Sequence, residues 1–455
     1  MGFERCRGGR RSRRSVKDLE VAHPDAAGID IGAKAIWVAV REDCASEPVR
    51  SFSTLTTGLH ELADWLQACG VDTVAMESTG VYWVPLYEVL QERGIDVNLV
   101  NAQHVKSVPG RKSDVLDCQW LRQLHRFGLL RSSFRPSPEI VELRAYLRQR
   151  DTLVRAAADQ VRRMQKALTL MNLQLHNVIS DITGQTGMAI LRAIVAGERD
   201  AVVLATHRHY GCRASRQVIE ASLAGNFQPE HLFALRQSLS LYDMHQELIA
   251  ECDEAVAQRL DALNANIDAE REPLPERKTR RRSTKHPGFD VRARLHQLTG
   301  VDLTEVPGLA DYSAACLIGE IGMDMSRWPS PRAFVSWLRL CPRAEITGGK
   351  PKSRRTLPTT SRAAQLLRMA ALNAGRTDTA LGAFYRRMAI RKPPGVAIVA
   401  TAHKLARIVH TMLRTKTPFH DIGGAAYDAR QRHRAIRNLK HRAHALGLTV
   451  VETVP

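Results

Sequence analysis

Two aspartates stand three residues apart in Lys112-Ser113-Asp114-Val115-Leu116-Asp117. Ser113 suits an N-cap, and Val115, Leu116, Trp120, Leu121 and Leu124 follow at helical spacing, so both acids are expected on one face of a helix's first turn. Carboxylates so placed repel unless positive charge lies between them. The helix N-terminus can supply that charge, and for this pair alone a dipole-compensated surface stays open. Two acids upstream shift the balance. Asp30 lies within Gly28-Ile29-Asp30-Ile31-Gly32-Ala33-Lys34, which reads as a buried strand where an unpaired carboxylate is costly. Glu77 closes the short apolar run Thr73-Val74-Ala75-Met76, at the C-terminal end of a strand where α/β proteins usually carry function. Four carboxylates that offer only oxygen suit Mg²⁺ or Mn²⁺, and two such ions about 4 Å apart would clamp the attacking and leaving oxygens of phosphoryl transfer. Neither a Walker loop nor an HExxH sequence competes with them.

A second constellation lies far downstream. Cys341-Pro342-Arg343-Ala344-Glu345-Ile346-Thr347-Gly348-Gly349-Lys350 is a glycine-bearing loop followed by Lys352, Arg354 and Arg355. A hydroxyl, a flexible backbone and nearby cations are what a strand-cleaving nucleophile needs around a phosphodiester, although taken alone the loop specifies little. Earlier, Val306-Pro307-Gly308-Leu309 before an apolar helix through Ile321 is similar to the turn of a helix-hairpin-helix, whose backbone amides can hold a phosphate; Pro-Gly turns between helices are also common for structural reasons.

These residues need elements to position them. From Ala27 to about Gly128 strands and helices alternate: strands through Asp30, through Ile36, Val38 and Val40 and over Pro48 to Leu55, a helix over Gly58 to Cys69, the Glu77 strand, a helix over Trp83 to Gly94, a strand over Ile95 to Val100, and the Asp114 helix. The pattern predicts a mixed sheet covered by helices. Pro136-Ser137-Pro138 marks a break, with Ser137 as N-cap and Pro138 at the first helical position. Leu147, Val154, Val161, Leu168 and Leu175 then recur every seven residues, with Ala157, Met164, Met171 and Val178 at the offset positions, and Leu241, Leu248 and Ala255 repeat at sevens further on. An antiparallel coiled-coil arm is expected; the alternative is ordinary bundle core. Residues 184 to 227 read as short helices, Arg362 to Ala374 and Val396 to Leu413 as longer ones.

The 455 residues allow two or three domains, and 44% hydrophobic with 25% charged residues describe a mostly folded chain. A net charge of +19 implies a polyanionic partner, most simply nucleic acid; an anionic membrane surface is the other candidate. No run of 18 apolar residues and no hydrophobic leader is seen, so a cytoplasmic protein without membrane partners is expected. Cys6, Cys44, Cys69, Cys118, Cys212, Cys252, Cys316 and Cys341 form no CxxC and read as isolated, mainly buried thiols rather than a disulfide framework or zinc site. Arg5 to Lys17 is an arginine-rich arm, either a nucleic-acid contact or a solvated tail.

The order GIDIGAK, MESTG, KSDVLD, VPGLADYSAACLIGEIG, LCPRAEITGGK and ATAHKLARIV, spread from Ala27 to Leu413, resembles the DEDD insertion-sequence transposases, relatives of the Piv pilin-gene invertases. The resemblance implies an α/β plus α protein: a RuvC-like domain of ribonuclease H fold, a coiled-coil arm and a mainly helical C-terminal transposase domain. With the reading above, the divisions are a basic arm (1–26), the catalytic domain (27–135), the arm (136–275), a basic linker (276–300), the transposase domain (301–420) and a basic tail (421–455). It also implies that Asp30, Glu77, Asp114 and Asp117 hold the divalent metal. DNA recombination guided by a structured non-coding RNA, by oligomers acting on paired DNA ends, is implied as well. The basic loop residues Gly348, Gly349, Lys350, Lys352, Arg354 and Arg355, together with Gly308, are then expected to touch nucleic acid. In such proteins a serine nucleophile precedes the Gly-Gly pair, whereas this chain has Thr347, whose extra methyl stiffens χ1 and crowds attack. Thr347 forming the covalent link, Ser353 substituting for it, and a catalytically impaired chain all stay open. So do a metal-dependent structure-specific nuclease that uses water and a non-catalytic nucleic-acid binder descended from a transposase.

Overall fold

The computed structural model describes residues 20–451 except Thr79 and 102–113, 266, 268–273, 275–285, 343–344, 348–349 and 354–355; the side chains of 345–347 and 350–353 are also undescribed. The chain divides into two compact units, Met1–Arg135 and Pro136–Pro455.

The first unit is built on one sheet. Its elements in order are β1 (Ala26–Ile31), β2 (Ala35–Ala39), β3 (Val49–Ser53), α1 (Thr56–Ala68), β4 (Thr73–Glu77), α2 (Trp83–Glu92), β5 (Asp96–Val100) and α3 (Asp114–Arg126). The strand order is β3-β2-β1-β4-β5, with β2 antiparallel to β1 and β3. β4 runs parallel to both β1 and β5. Alternation along β1 turns Ala27 and Ile29 to one face, where they meet the stripe Leu59, Leu62, Ala63 and Leu66 of α1 and Leu86 and Leu90 of α2. Each such Leu or Ile, lifted wholly out of water, contributes about 1.5–3 kcal/mol. The other face, carrying Gly28, is covered by α3. A strand covered on both faces reads as continuously apolar, as β1 and β4 do.

Among the described residues the second unit is helical apart from one hairpin. α4 (Pro138–Leu170) starts at Ser137 with Pro138 at its first position, and ends where Asn172 takes a left-handed φ of 53°. The short helices α5 (Leu175–Val178), α6 (Gln185–Ala196), α7 (Ala201–Thr206) and α8 (Arg216–Ser222) precede α9 (Pro229–Ala265). α9 returns antiparallel along α4, as Arg150 pairing with Asp253 and Arg259 with Glu142 require. Two details of the expected seam change. Leu175 and Val178 lie beyond the turn at Asn172, in α5, so the repeat ends one heptad early. On α9 the buried heptad line is Leu235, Tyr242, Ile249, Val256 and Leu263, one residue out of phase with Leu241, Leu248 and Ala255; Leu241 is 42% exposed. Both lines have a seven-residue period and apolar members, so period alone could not choose between them.

The remainder comprises α10 (Val291–Thr299), a 3₁₀ turn (Leu303–Glu305), α11 (Asp311–Ile321), α12 (Pro331–Trp337), the hairpin β6 (Glu345–Thr347) and β7 (Lys350–Ser353), then α13 (Arg362–Ala374), α14 (Ala380–Arg391), α15 (Pro394–Thr415) and α16 (Gly424–Ala445). α15 is long and apolar enough to cross a membrane by length and composition, yet Ala402, Leu405, Ala406, Val409 and Leu413 bury themselves among α12, α13 and α14. The basic tail is not featureless: α16 is a 22-residue helix in which only Gly424 is buried.

Candidate active site

The acids come together through one missing side chain. A Cβ on Gly28 would fall 2.2 Å from the Cys118 carbonyl oxygen and 2.3 Å from the Arg122 nitrogen, so α3 rests its backbone directly on β1. Two residues along, on the same pleat face, is Asp30; Asp114 is one turn back from Cys118, and Asp117 is the residue just before it. Two strand residues advance about 6.6 Å and one helical turn about 5.4 Å, so the two steps match and the aspartates of α3 arrive over Asp30. Glu77 arrives by register: β1 and β4 pair in parallel as Ala26 with Thr73 through Ile29 with Met76, and the next step sets Glu77 beside Asp30. Just beyond Glu77, the Ser78 amide and hydroxyl donate to the Val100 carbonyl at 2.9 and 3.0 Å and hold the end of β4 against β5.

The electrostatics carry the same message. The Asp30 carboxyl is pushed from its ordinary 3.8 up to about 6, first by burial and then by the charges of Asp114, Asp117 and Glu77. Beneath it, burial pushes the Cys118 thiol up to about 12, so no thiolate competes at neutral pH. The donors are oxygen alone, and their mutual repulsion is what a hard divalent cation relieves. Among the described residues no three acid, histidine or cysteine side chains are already closed to ligating distance, so the four form a convergence of charge rather than a finished cage.

α3 is anchored at its far end by residues that sequence reasoning missed. His125 is 2% exposed, with Nε2 2.9 Å from the Thr73 hydroxyl and Nδ1 3.4 Å from the Asn98 side-chain nitrogen, and its ring stacks on His23. Burial, and then the charge of His23, lower it to about 4, so it is neutral at pH 7. Arg122 donates from Nη1 to the Val40 carbonyl at 2.6 Å. A glycine inside an otherwise apolar strand was the available signal for this contact; nothing local marks His125.

The remaining expected site residues lie elsewhere. Thr347 ends β6 opposite Lys350, with Lys352 further along β7, in the second unit, whereas the acids belong to the first. Gly348, Gly349, Arg354 and Arg355, like the expected cap Ser113, lie outside the described residues. Gly308 has a packing reason for being glycine: its φ is +86°, and a Cβ would fall 2.1 Å from the Ala370 carbonyl oxygen of α13. The seven described cysteines are free thiols; Cys44 and Cys69 are nevertheless hydrogen-bond neighbours, which their spacing in sequence does not indicate.

A family model described as a transposase of the DEDD, IS110 type matches residues 27–173, and one described as a transposase of the IS116/IS110/IS902 family matches 302–386. A curated relative, a "Probable family 20 transposase" of Pseudomonas aeruginosa, is 26% identical over 356 residues, covering 76% of this chain and 84% of its own. The chain therefore belongs to the IS110-type DEDD transposases, enzymes that cut and rejoin DNA.

Proposed function

We propose that the protein breaks and rejoins DNA with metal-dependent chemistry at Asp30, Glu77, Asp114 and Asp117. The observation that carries this reading is the elevated Asp30 carboxyl, burdened by the other three acids at the C-terminal edge of parallel strands. A bound Mg²⁺ or Mn²⁺ would neutralise charge developing on the phosphodiester oxygens. The four carboxylates would hold and orient that cation, and the Thr347 hydroxyl would attack phosphorus, its proton passing to a base and the DNA 3′ oxygen leaving. Lys350 and Lys352, with Arg354 and Arg355, would steady the strand. The sheet order and the α3 cover support a RuvC-like, ribonuclease H class of domain, and the antiparallel α4 and α9 support a coiled-coil arm. The +19 charge supports a polyanionic partner, here DNA together with a guide RNA, and the protein would act on paired DNA ends as a homo-oligomer.

A plasmid excision assay tests the reading. Alanine at Asp114 should abolish excision, and undiminished recombination by that protein would end the proposal. A nicked DNA substrate should trap a covalent adduct that Thr347→Ala loses and Thr347→Ser keeps; a hydrolase using water leaves none.

A further inference from the structure

Beside α15 lies an open cleft of about 510 Å³, within the roughly 300–1,000 Å³ of small-ligand sites. Lys404, Arg407 and Thr411 of α15, Phe419 and His420 of the following loop and Tyr427 of α16 line it. Its wall is held by backbone ties: the Phe419 amide donates to Glu305 Oε2 at 3.1 Å, and Asp421 accepts from the Ala380 and Gly423 amides, both at 3.1 Å. The acid in the lining is thus engaged by the main chain. The cations are not so neutralised. Among the described residues neither Lys404 nor Arg407 pairs with a carboxylate; the Lys404 ammonium is half-buried, 3.7 Å from the centre of the Phe384 ring and 5.8 Å from that of Tyr427. Burial, and then Arg407, lower its pKa, as expected of a desolvated cation with no anion beside it. The pocket also opens onto a charged track. Tyr427, Arg430, Arg434, Arg437 and His441 follow one another at three- and four-residue spacing along one face of α16, and Arg387 and Arg434 both act on the Tyr427 phenol.

We propose that this cavity receives one unpaired nucleotide of a nucleic-acid strand running along α16, its base against Phe419 and Tyr427 and its phosphate at Lys404 and Arg407. Base stacking on aromatic rings tolerates any sequence, and the cations alongside bind the backbone. The inference rests on reading the chain as a nucleic-acid enzyme. It does not involve the acidic site.

The full-length protein is tested with two fluorescein-labelled 12-mers, one single-stranded DNA and one RNA of the same sequence, each carrying a central 5-iodopyrimidine for photocrosslinking. The expected result is a crosslink mapping to Phe419 or Tyr427 with at least one probe, the probe that crosslinks identifying the strand type. Lys404→Met, Arg407→Gln and Tyr427→Ala should each bind about tenfold more weakly, whereas Tyr427→Phe and Arg236→Gln, which removes a charge away from the cavity, bind as the parent does. Arg407 is exposed, so its variant keeps the test valid should the others fail to fold. Tight binding with crosslinks elsewhere and no loss in Arg407→Gln would overturn the pocket and leave the nucleic-acid reading intact. Binding of neither probe would overturn both.

Discussion

At the scale of single residues, Asp30 bears the cost of the site. A carboxyl whose folded pKa lies near 6 adds stability that is present below about pH 4 and lost as pH rises through 6, so at neutral pH its charge weakens the unbound domain. Asp30→Asn should therefore raise the melting temperature of the metal-free protein by a few degrees while abolishing recombination. Millimolar Mg²⁺ should raise the melting temperature of the parent and leave the variant nearly unmoved; equal responses in calorimetry would count against a cation held there. His125 has the opposite sign. Its folded pKa is depressed to about 4, so as pH falls from about 6.5 towards 4 the unfolded chain takes up a proton that the folded one refuses. Stability should drop across that window by on the order of a few kcal/mol, and His125→Gln should flatten that part of the profile.

At the scale of elements, the contact between α3 and β1 decides whether the acids meet. Gly28→Val would drive a branched side chain into the backbone at Cys118 and Arg122, and should cost several kcal/mol or shift α3 and with it Asp114 and Asp117; loss of excision activity in a protein that still folds would separate the two outcomes. The seam between α4 and α9 makes a comparable test. Arg150 is 1% exposed, grips Asp253 with two nitrogens at 2.5 and 3.4 Å and lies 4.5 Å from the centre of the Tyr312 ring. Removing one partner, as in Arg150→Ala, should cost about 3–5 kcal/mol, whereas Arg150→Met with Asp253→Leu should be near neutral in urea unfolding. The strands of the first unit and the two long helices were legible because their apolar periods are strong over many residues. The phase of α9 was not, because Leu241 and Tyr242, Leu248 and Ile249 offer two adjacent apolar lines and only the partner's surface selects one. The acids were legible as types at strand and helix ends; their convergence through Gly28, and the clamp at His125, depend on contacts between residues far apart in the chain, from 27 positions for Asn98 to about a hundred for His23.

At the scale of the molecule, a +19 charge should dominate affinity. DNA binding is expected to weaken steeply with salt, with log K falling linearly in log salt by nearly one power for each phosphate neutralised; a flat titration would show that the charge serves something else. α16, exposed along its length, carries much of that charge where composition alone marked a tail. The Arg150–Asp253 pair has a separate consequence at this scale. With Arg259–Glu142 it fixes how the two long helices align, while most of the seam between them is hydrocarbon. Inserting seven residues into both helices, one turn-pair away from that lock, would keep every neighbour's chemistry and extend the rod by about 10 Å. The reach of this protein is thus a dimension that heptad-sized steps can change without redesigning either end.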